Sequence, residues 1–87
     1  MKVSVWDTYV NKQNGSVMHF DILVPSKVSN DKVVFDFGMN YLKTKPFKTA
    51  KLTTNECRFC HIEQATERIQ NQIKKNGYFI IEMENCN

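Results

Sequence analysis

The sequence lacks a long apolar run, and this absence limits where the protein can reside. No stretch approaches the roughly 18 consecutive apolar residues of a membrane-spanning helix. The first residues, from Met1 to Asp7, contain neither an apolar leader segment nor a cleavage signal. Cysteine is also scarce, and because its count of three is odd, we expect free thiols rather than a disulfide framework. These absences predict a cytoplasmic protein without a membrane contact.

The chain also lacks a general excess of positive charge. Its 87 residues include 12 Lys and Arg against 9 Asp and Glu, a net charge of +3, which is not typical of a dedicated nucleic-acid-binding protein. Cations do alternate with aromatic residues between residues 41 and 51, but without a nucleic-acid fold signature we interpret this segment as a solvated loop. We expect no nucleic-acid partner. The length fits one domain over residues 1–87.

The clearest structural signal is a β-hairpin near the N-terminus. Residues 2–10 and 16–24 alternate in polarity and are rich in β-branched and aromatic types. Between them lies Asn14-Gly15, a pair that tolerates the positive φ angles of a tight turn. We therefore predict two antiparallel strands joined by a short loop.

Two helices and a last strand are predicted downstream. Apolar residues at helical spacing follow the capping residues 29–31 and stop by Lys45, before a proline. Gly38 inside this helix indicates a close approach to the sheet, because glycine costs stability at such a position. A second helix starts at Thr66 and ends at Asn76-Gly77, where glycine favours a left-handed cap. Residues 78–84 alternate as a strand.

Residues 53–65 are compatible with either a strand or a helix. We favour a turn at 53–56 and a strand at 57–63, because a helix would have to run through Thr66, itself a good cap. Strand alternation would place Cys60 and Ile62 towards the core. It would place four residues on the other face: Cys57, Phe59, His61 and Glu63.

These elements predict an α+β domain with the order β-β-α-β-α-β. We expect two layers, with a four-stranded mixed sheet and both helices packed on one face. The other sheet face would then be free to bind a partner.

The run Cys57-Arg58-Phe59-Cys60-His61 has three chemical interpretations: covalent haem attachment, a dithiol redox pair, or part of a zinc site. Haem attachment requires both thiols on one side of a helical turn, and a dithiol site requires a helix N-terminus. Zinc fits the ligand types better, although a second close ligand pair is absent. Buried, reduced cysteine is the simplest interpretation.

Polar and aromatic residues on the predicted helix-free face form a candidate binding surface, and Asp21 beside His61 would be a plausible acid–base pair. The surface consists of Trp6, His19, Asp21, Phe59, His61 and Glu63. A metal site, with zinc as the cofactor, would use His19 and His61, completed by Cys57 or Asp21.

Four sequence blocks together resemble a family of small bacterial proteins classed as a domain of unknown function. They are Val5-Trp6-Asp7-Thr8-Tyr9-Val10, Met18-His19-Phe20-Asp21-Ile22-Leu23-Val24-Pro25, Glu56-Cys57-Arg58-Phe59-Cys60-His61-Ile62-Glu63, and Gly77-Tyr78-Phe79-Ile80-Ile81-Glu82-Met83. The resemblance spans nearly the whole chain. It implies a short cytoplasmic protein that stands alone. It draws attention to eight residues without giving any of them a role: Trp6, Asp7, His19, Asp21, Cys57, Cys60, His61 and Glu63.

Our function hypothesis from the sequence is a non-catalytic binding or self-associating interaction module. The motive is the predicted apolar surface of Trp6, Phe59, Tyr78 and Ile80, which would be costly to leave in water, so we expect a homodimer. The alternative is a zinc-binding protein. The partner of such a module would be a second copy, another protein or a small molecule.

Overall fold

Six secondary-structure elements follow one another in the computed structural model, which describes residues 1–52 and 56–87. They are β1 (Lys2–Asn11), β2 (Val17–Pro25), α1 (Asp31–Leu42), β3 (Cys57–Gln64), α2 (Glu67–Asn76) and β4 (Phe79–Glu84). The α+β class and the chain order are confirmed, and residues 57–64 are a strand. The predicted turn at 53–56 falls mostly on residues 53–55, outside the described residues. Neither α1 nor α2, the two helices of the described ranges, is long and apolar enough to cross a membrane.

Local sequence signals account for the hairpin turn and the helix ends. Gly15 has a φ angle of 91° in the turn between β1 and β2. The side chains of Asn30 and Thr66 accept hydrogen bonds from the first turns of α1 and α2, which satisfies amide groups that have no partner inside the helix. Gly77, also at a φ angle of 91°, ends α2 in the left-handed conformation.

The four strands lie in the order β3-β1-β2-β4, and every neighbouring pair is antiparallel. The expectation of a mixed sheet is wrong. The reason lies in the two helical connections. α1 carries the chain from β2 past β1, so β3 lands beside a strand that runs in the opposite direction. α2 then carries the chain from one edge of the sheet to the other, where β4 pairs with β2. β4 runs in the opposite direction to β2.

The two helices pack on opposite faces of the sheet, which corrects the expectation of two layers. Ile22 and Leu23 are neighbours in β2 and therefore point to opposite faces. Ile22 packs in one core cluster with Val34 of α1, and Leu23 packs in a second cluster with Ile73 of α2. We call these the α1 face and the α2 face. Since each face carries a helix, the described part of the chain has no helix-free sheet face.

Gly38 marks the closest approach of α1 to the sheet. A Cβ atom at this position would lie 3.1 Å from Cδ1 of Ile22 and 3.2 Å from Cδ2 of Leu52. The absence of a side chain therefore lets α1 lie close to the buried Ile22 of β2. This close approach was predicted from the cost of glycine inside a helix.

A β-bulge in β3 changes which side chains share a face. Val5 pairs with His61, and the next residue, Trp6, pairs with Phe59, so Cys60 is an additional residue in β3. The Cys60 thiol lies 3.2 Å from Nδ1 of His61, which places both side chains on the same side of the strand.

The bulge overturns the regular alternation predicted for residues 57–63. Phe59 and Ile62, opposite Trp6 and Ser4, now share the α1 face, while His61 and Glu63 lie on the α2 face. Cys60 is exposed rather than buried in the core. A regular alternation could not reveal this, because a bulge depends on how β3 is matched to β1.

Candidate functional site

Three ligand-type side chains converge on the α2 face near the hairpin end of the sheet. Asp7 of β1 is paired directly with Asp21 of β2, and His19 lies two residues from Asp21 on the same face. Nε2 of His19 is 3.4 Å from Oδ1 of Asp21 and 3.9 Å from Oδ1 of Asp7. One ligand atom from each residue lies within 4.8 Å of the others. We call these residues the Asp–His–Asp cluster.

Tyr9 fixes the orientation of the histidine in this cluster. It is the cross-strand partner of His19, and the two rings stack with centroids 4.1 Å apart and an angle of 11° between their planes. Half of the Tyr9 surface remains exposed, so this ring covers one side of the imidazole. The stack leaves Nε2 directed towards the two carboxylates.

Two neighbouring carboxylates dominate the electrostatics of the cluster. Nε2 of His19 and Oδ1 of Asp21 are buried, and neither forms a hydrogen bond with a described residue, although they are within ion-pair distance of each other. Burial and then the neighbouring Asp7 carboxylate raise the pKa of Asp21 from 3.8 to about 6, against a smaller opposing effect of His19. Two carboxylates this close favour a shared proton or a bound cation.

Polar side chains extend from the Asp–His–Asp cluster to the β3 edge of the sheet by way of the bulge at Cys60. Partial desolvation and then the adjacent Asp7 carboxylate raise the pKa of the Cys60 thiol. Cys60 in turn contacts His61, and Nε2 of His61 lies 3.5 Å from Oε2 of Glu63. The bulge therefore connects the Asp–His–Asp cluster to a second, exposed His–Glu pair.

A cavity of about 250 Å³ opens beside the cluster. It is lined by Asp7, Tyr9, Glu56 and Arg58. Asp7 and Tyr9 belong to both the cavity wall and the immediate surroundings of His19, so the cavity gives a small solute or ion a route to the cluster.

The structure brings together four of the six residues of the predicted binding surface. His19, Asp21, His61 and Glu63 all lie on the α2 face. The carboxylate within ion-pair distance of His61 belongs to Glu63, whereas Asp21 lies close to His19.

Trp6 and Phe59, the other two residues of that surface, lie on the α1 face. Their rings meet edge to face with centroids 5.8 Å apart. Trp6 is buried, whereas Phe59 is 52% exposed. Cys57 also lies on the α1 face, where the Thr8 hydroxyl donates to its sulfur at 3.6 Å, so the sheet separates Cys57 from His19.

Sequence reasoning from the residues alone missed Tyr9 and the position of Cys60, and gave no reason to place Asp7 beside Asp21. A usable signal for β1 was present. A three-residue loop, residues 13–15, that ends at Gly15 fixes the register of the hairpin, and this register pairs Asp7 with Asp21 and Tyr9 with His19. The position of Cys60 had no comparable signal.

Part of the basic segment, residues 41–51, contacts other parts of the fold. Lys45 contacts the Glu82 carboxylate, which also accepts a hydrogen bond from the Tyr41 hydroxyl. These contacts hold the pKa of Glu82 below its usual range.

A larger cavity of about 610 Å³ lies between the hairpin loop and residues 46–48. There, Nζ of Lys12 lies 4.2 Å from the centroid of the Phe47 ring. This cavity contains none of the residues of the Asp–His–Asp cluster.

Comparisons with known proteins agree with the fold and assign no activity. The profile of a domain of unknown function, DUF2024, matches residues 1–83. The chain is similar to protein NE1680 from Nitrosomonas europaea, a structural-genomics target solved by NMR. The two share 44% sequence identity over 100% of both chains, with a TM-score of 0.86. No curated protein matches the chain.

Proposed function

Because the chain belongs to the DUF2024 family, a domain of unknown function, we propose its function from the geometry: it binds a divalent metal ion, with zinc preferred. The observation that carries this proposal is the convergence of Asp7, His19 and Asp21, whose ligand atoms lie within 4.8 Å of one another. All three side chains project from two paired strands, which hold them rigidly. Imidazole and carboxylate are common zinc ligands, and divalent zinc binds such sites more tightly than manganese or ferrous iron does.

The electrostatics of the cluster support a cation. A buried histidine nitrogen and a buried carboxylate oxygen without hydrogen bonds are costly to maintain. A divalent ion would satisfy both atoms and neutralise the two carboxylates, so it would replace the proton that the raised pKa of Asp21 favours.

The proposed role is binding of the ion, and no residue is assigned a catalytic role. Asp7, His19 and Asp21 supply three ligands, which leaves one tetrahedral position for a water molecule or a solute from the neighbouring cavity. This assignment uses His19 and Asp21 from the sequence hypothesis and replaces His61 and Cys57 by Asp7.

The structure bears differently on two other expectations, self-association and location. Self-association through a helix-free face loses its basis, because both faces carry a helix. A cytoplasmic location stays a proposal, and the three free thiols support it because a reducing compartment preserves them.

Isothermal titration with zinc tests the metal site. We use untagged protein purified without chelator, together with the variants His19→Ala and His61→Ala. The wild type should bind one equivalent. His19→Ala should weaken binding by more than about 100-fold, since even outer-shell partners contribute 10- to 100-fold. His61→Ala is the matched control and should bind as the wild type does. An equal loss in both variants, or no binding by the wild type, would refute the site.

A further inference from the structure

We propose that a second copy of this chain adds its β3 strand antiparallel to β3, so that two sheets join into one of eight strands. β3 stands at the end of the strand order β3-β1-β2-β4, so one of its edges has no strand beside it in the described part of the chain. Exposed strand edges of this kind are the usual sites of strand addition. The proposal does not depend on metal binding.

Two large apolar side chains of the edge strand β3 are exposed. Phe59 is 52% exposed and Ile62 is 53% exposed, both among the most exposed large apolar residues of the described chain. The bulge at Cys60 places both side chains on the α1 face, opposite Trp6 and Ser4 of β1. They therefore form an apolar strip along the open edge.

The same bulge makes β3 complementary to itself. In a regular strand, Arg58 and Glu63 would point to opposite faces, because they are five residues apart. With the additional residue Cys60, both lie on the α2 face, opposite Asp7 and Val3. Each face of β3 thus carries a pair of residues equally distant from the midpoint between Cys60 and His61: an apolar pair on one face and an opposite-charge pair on the other.

A two-fold axis between Cys60 and His61 matches these pairs. Phe59 of one copy then lies opposite Ile62 of the second copy, and Arg58 lies opposite Glu63 of the second copy. Each contact occurs twice, as required for an isologous interface. Aromatic–aliphatic and opposite-charge pairs are the combinations that stabilise neighbouring antiparallel strands.

The other open edge offers no such match. β4 carries two glutamates, Glu82 and Glu84, and no cation among its six residues. Two β4 strands paired about a two-fold axis would form no opposite-charge pair. The self-complementary pattern therefore singles out β3 as the edge that a second copy occupies.

Charge reversal with rescue tests the register. Arg58→Glu places two glutamates opposite each other in a homodimer, and Glu63→Arg places two arginines opposite each other. An equimolar mixture of the two variants restores both opposite-charge pairs in a mixed dimer. The double variant Arg58→Glu/Glu63→Arg restores them within one chain and is the matched control. Circular dichroism confirms that each variant is folded.

Sedimentation equilibrium at low salt gives the readout. A single added strand pair makes a small interface, so we measure at concentrations up to roughly 1 mM. The wild type and the double variant should dimerise. Each single variant should dimerise roughly tenfold more weakly, and the mixture should recover the affinity of the wild type. A monomeric wild type at the highest concentration, or a mixture no tighter than its components, would overturn the proposal. Zinc titration of the same samples is a separate measurement, so failure of the dimer leaves the metal site unaffected.

Discussion

Nε2 of His19 lies 3.4 Å from Oδ1 of Asp21, and both atoms are buried without a hydrogen bond to the described residues. The two residues are separated by one position in β2, so they share a face by strand geometry alone. Asp7, paired with Asp21 across the hairpin, adds a second carboxylate. The arrangement holds two acceptors and one imidazole around a point where a cation would satisfy all three, which is the basis of the metal-binding proposal.

Asp21→Asn should stabilise the metal-free protein at neutral pH. Burial and the Asp7 carboxylate raise the pKa of Asp21 from 3.8 to about 6. The folded protein therefore retains a proton that the unfolded chain loses. The stability linked to this proton is fully present below about pH 4 and is lost as the pH rises through about 6. At pH 7.5 the free energy of unfolding of the variant should exceed that of the wild type by on the order of 1 kcal/mol. This is less than the full pKa shift implies, because the site is partly hydrated.

Urea denaturation in the presence of a chelator measures this effect. The gain of Asp21→Asn should shrink towards zero at pH 4. Asp36→Asn, which changes an exposed carboxylate on α1, is the control and should stay within about 0.5 kcal/mol of the wild type at both pH values. A variant no more stable than the wild type at pH 7.5 would contradict the account. With zinc added, the wild type should become more stable than Asp21→Asn, because zinc stabilises the protein that binds it more tightly.

The two cysteines of the CxxC pair should differ in their contribution to stability. Cys57 is buried on the α1 face beside Thr8, whereas Cys60 is exposed at the bulge. Cys57→Ala should therefore lower the free energy of unfolding by about 1 kcal/mol, since it leaves a small cavity. Cys60→Ala should change the metal-free protein by less than about 0.5 kcal/mol. Chemical denaturation of both variants with a chelator present checks this, and a larger loss in the Cys60 variant would show that the bulge is misplaced.

Short-range features of this fold follow from the sequence because their causes are local. The turn at Asn14-Gly15, the cap at Thr66 and the left-handed Gly77 each depend on a few neighbouring residues. The close approach at Gly38 was also foreseen, since a glycine inside a helix costs stability unless it serves packing. The α+β class follows from the order of these elements.

The placement of the helices and the bulge depends on long-range pairing. An amphipathic helix shows that one of its sides is buried, but not which face of a sheet covers it. The run Ile22-Leu23-Val24 did carry a clue, because three consecutive buried residues indicate a strand covered on both faces. The bulge at Cys60 has no local signature, and its consequence for the site is large, since it places Cys57 and Phe59 on the face opposite to His61 and Glu63.

The central claim is that a metal ion binds at His19. Long-range proton–nitrogen NMR of protein labelled at its two histidines tests it most directly, because each ring nitrogen gives its own resonance. One equivalent of zinc should move the Nε2 resonance of His19 to a metal-bound position and leave both nitrogens of His61 at their original positions. A spectrum in which the His19 nitrogens do not respond, or in which the His61 nitrogens move instead, would contradict the account.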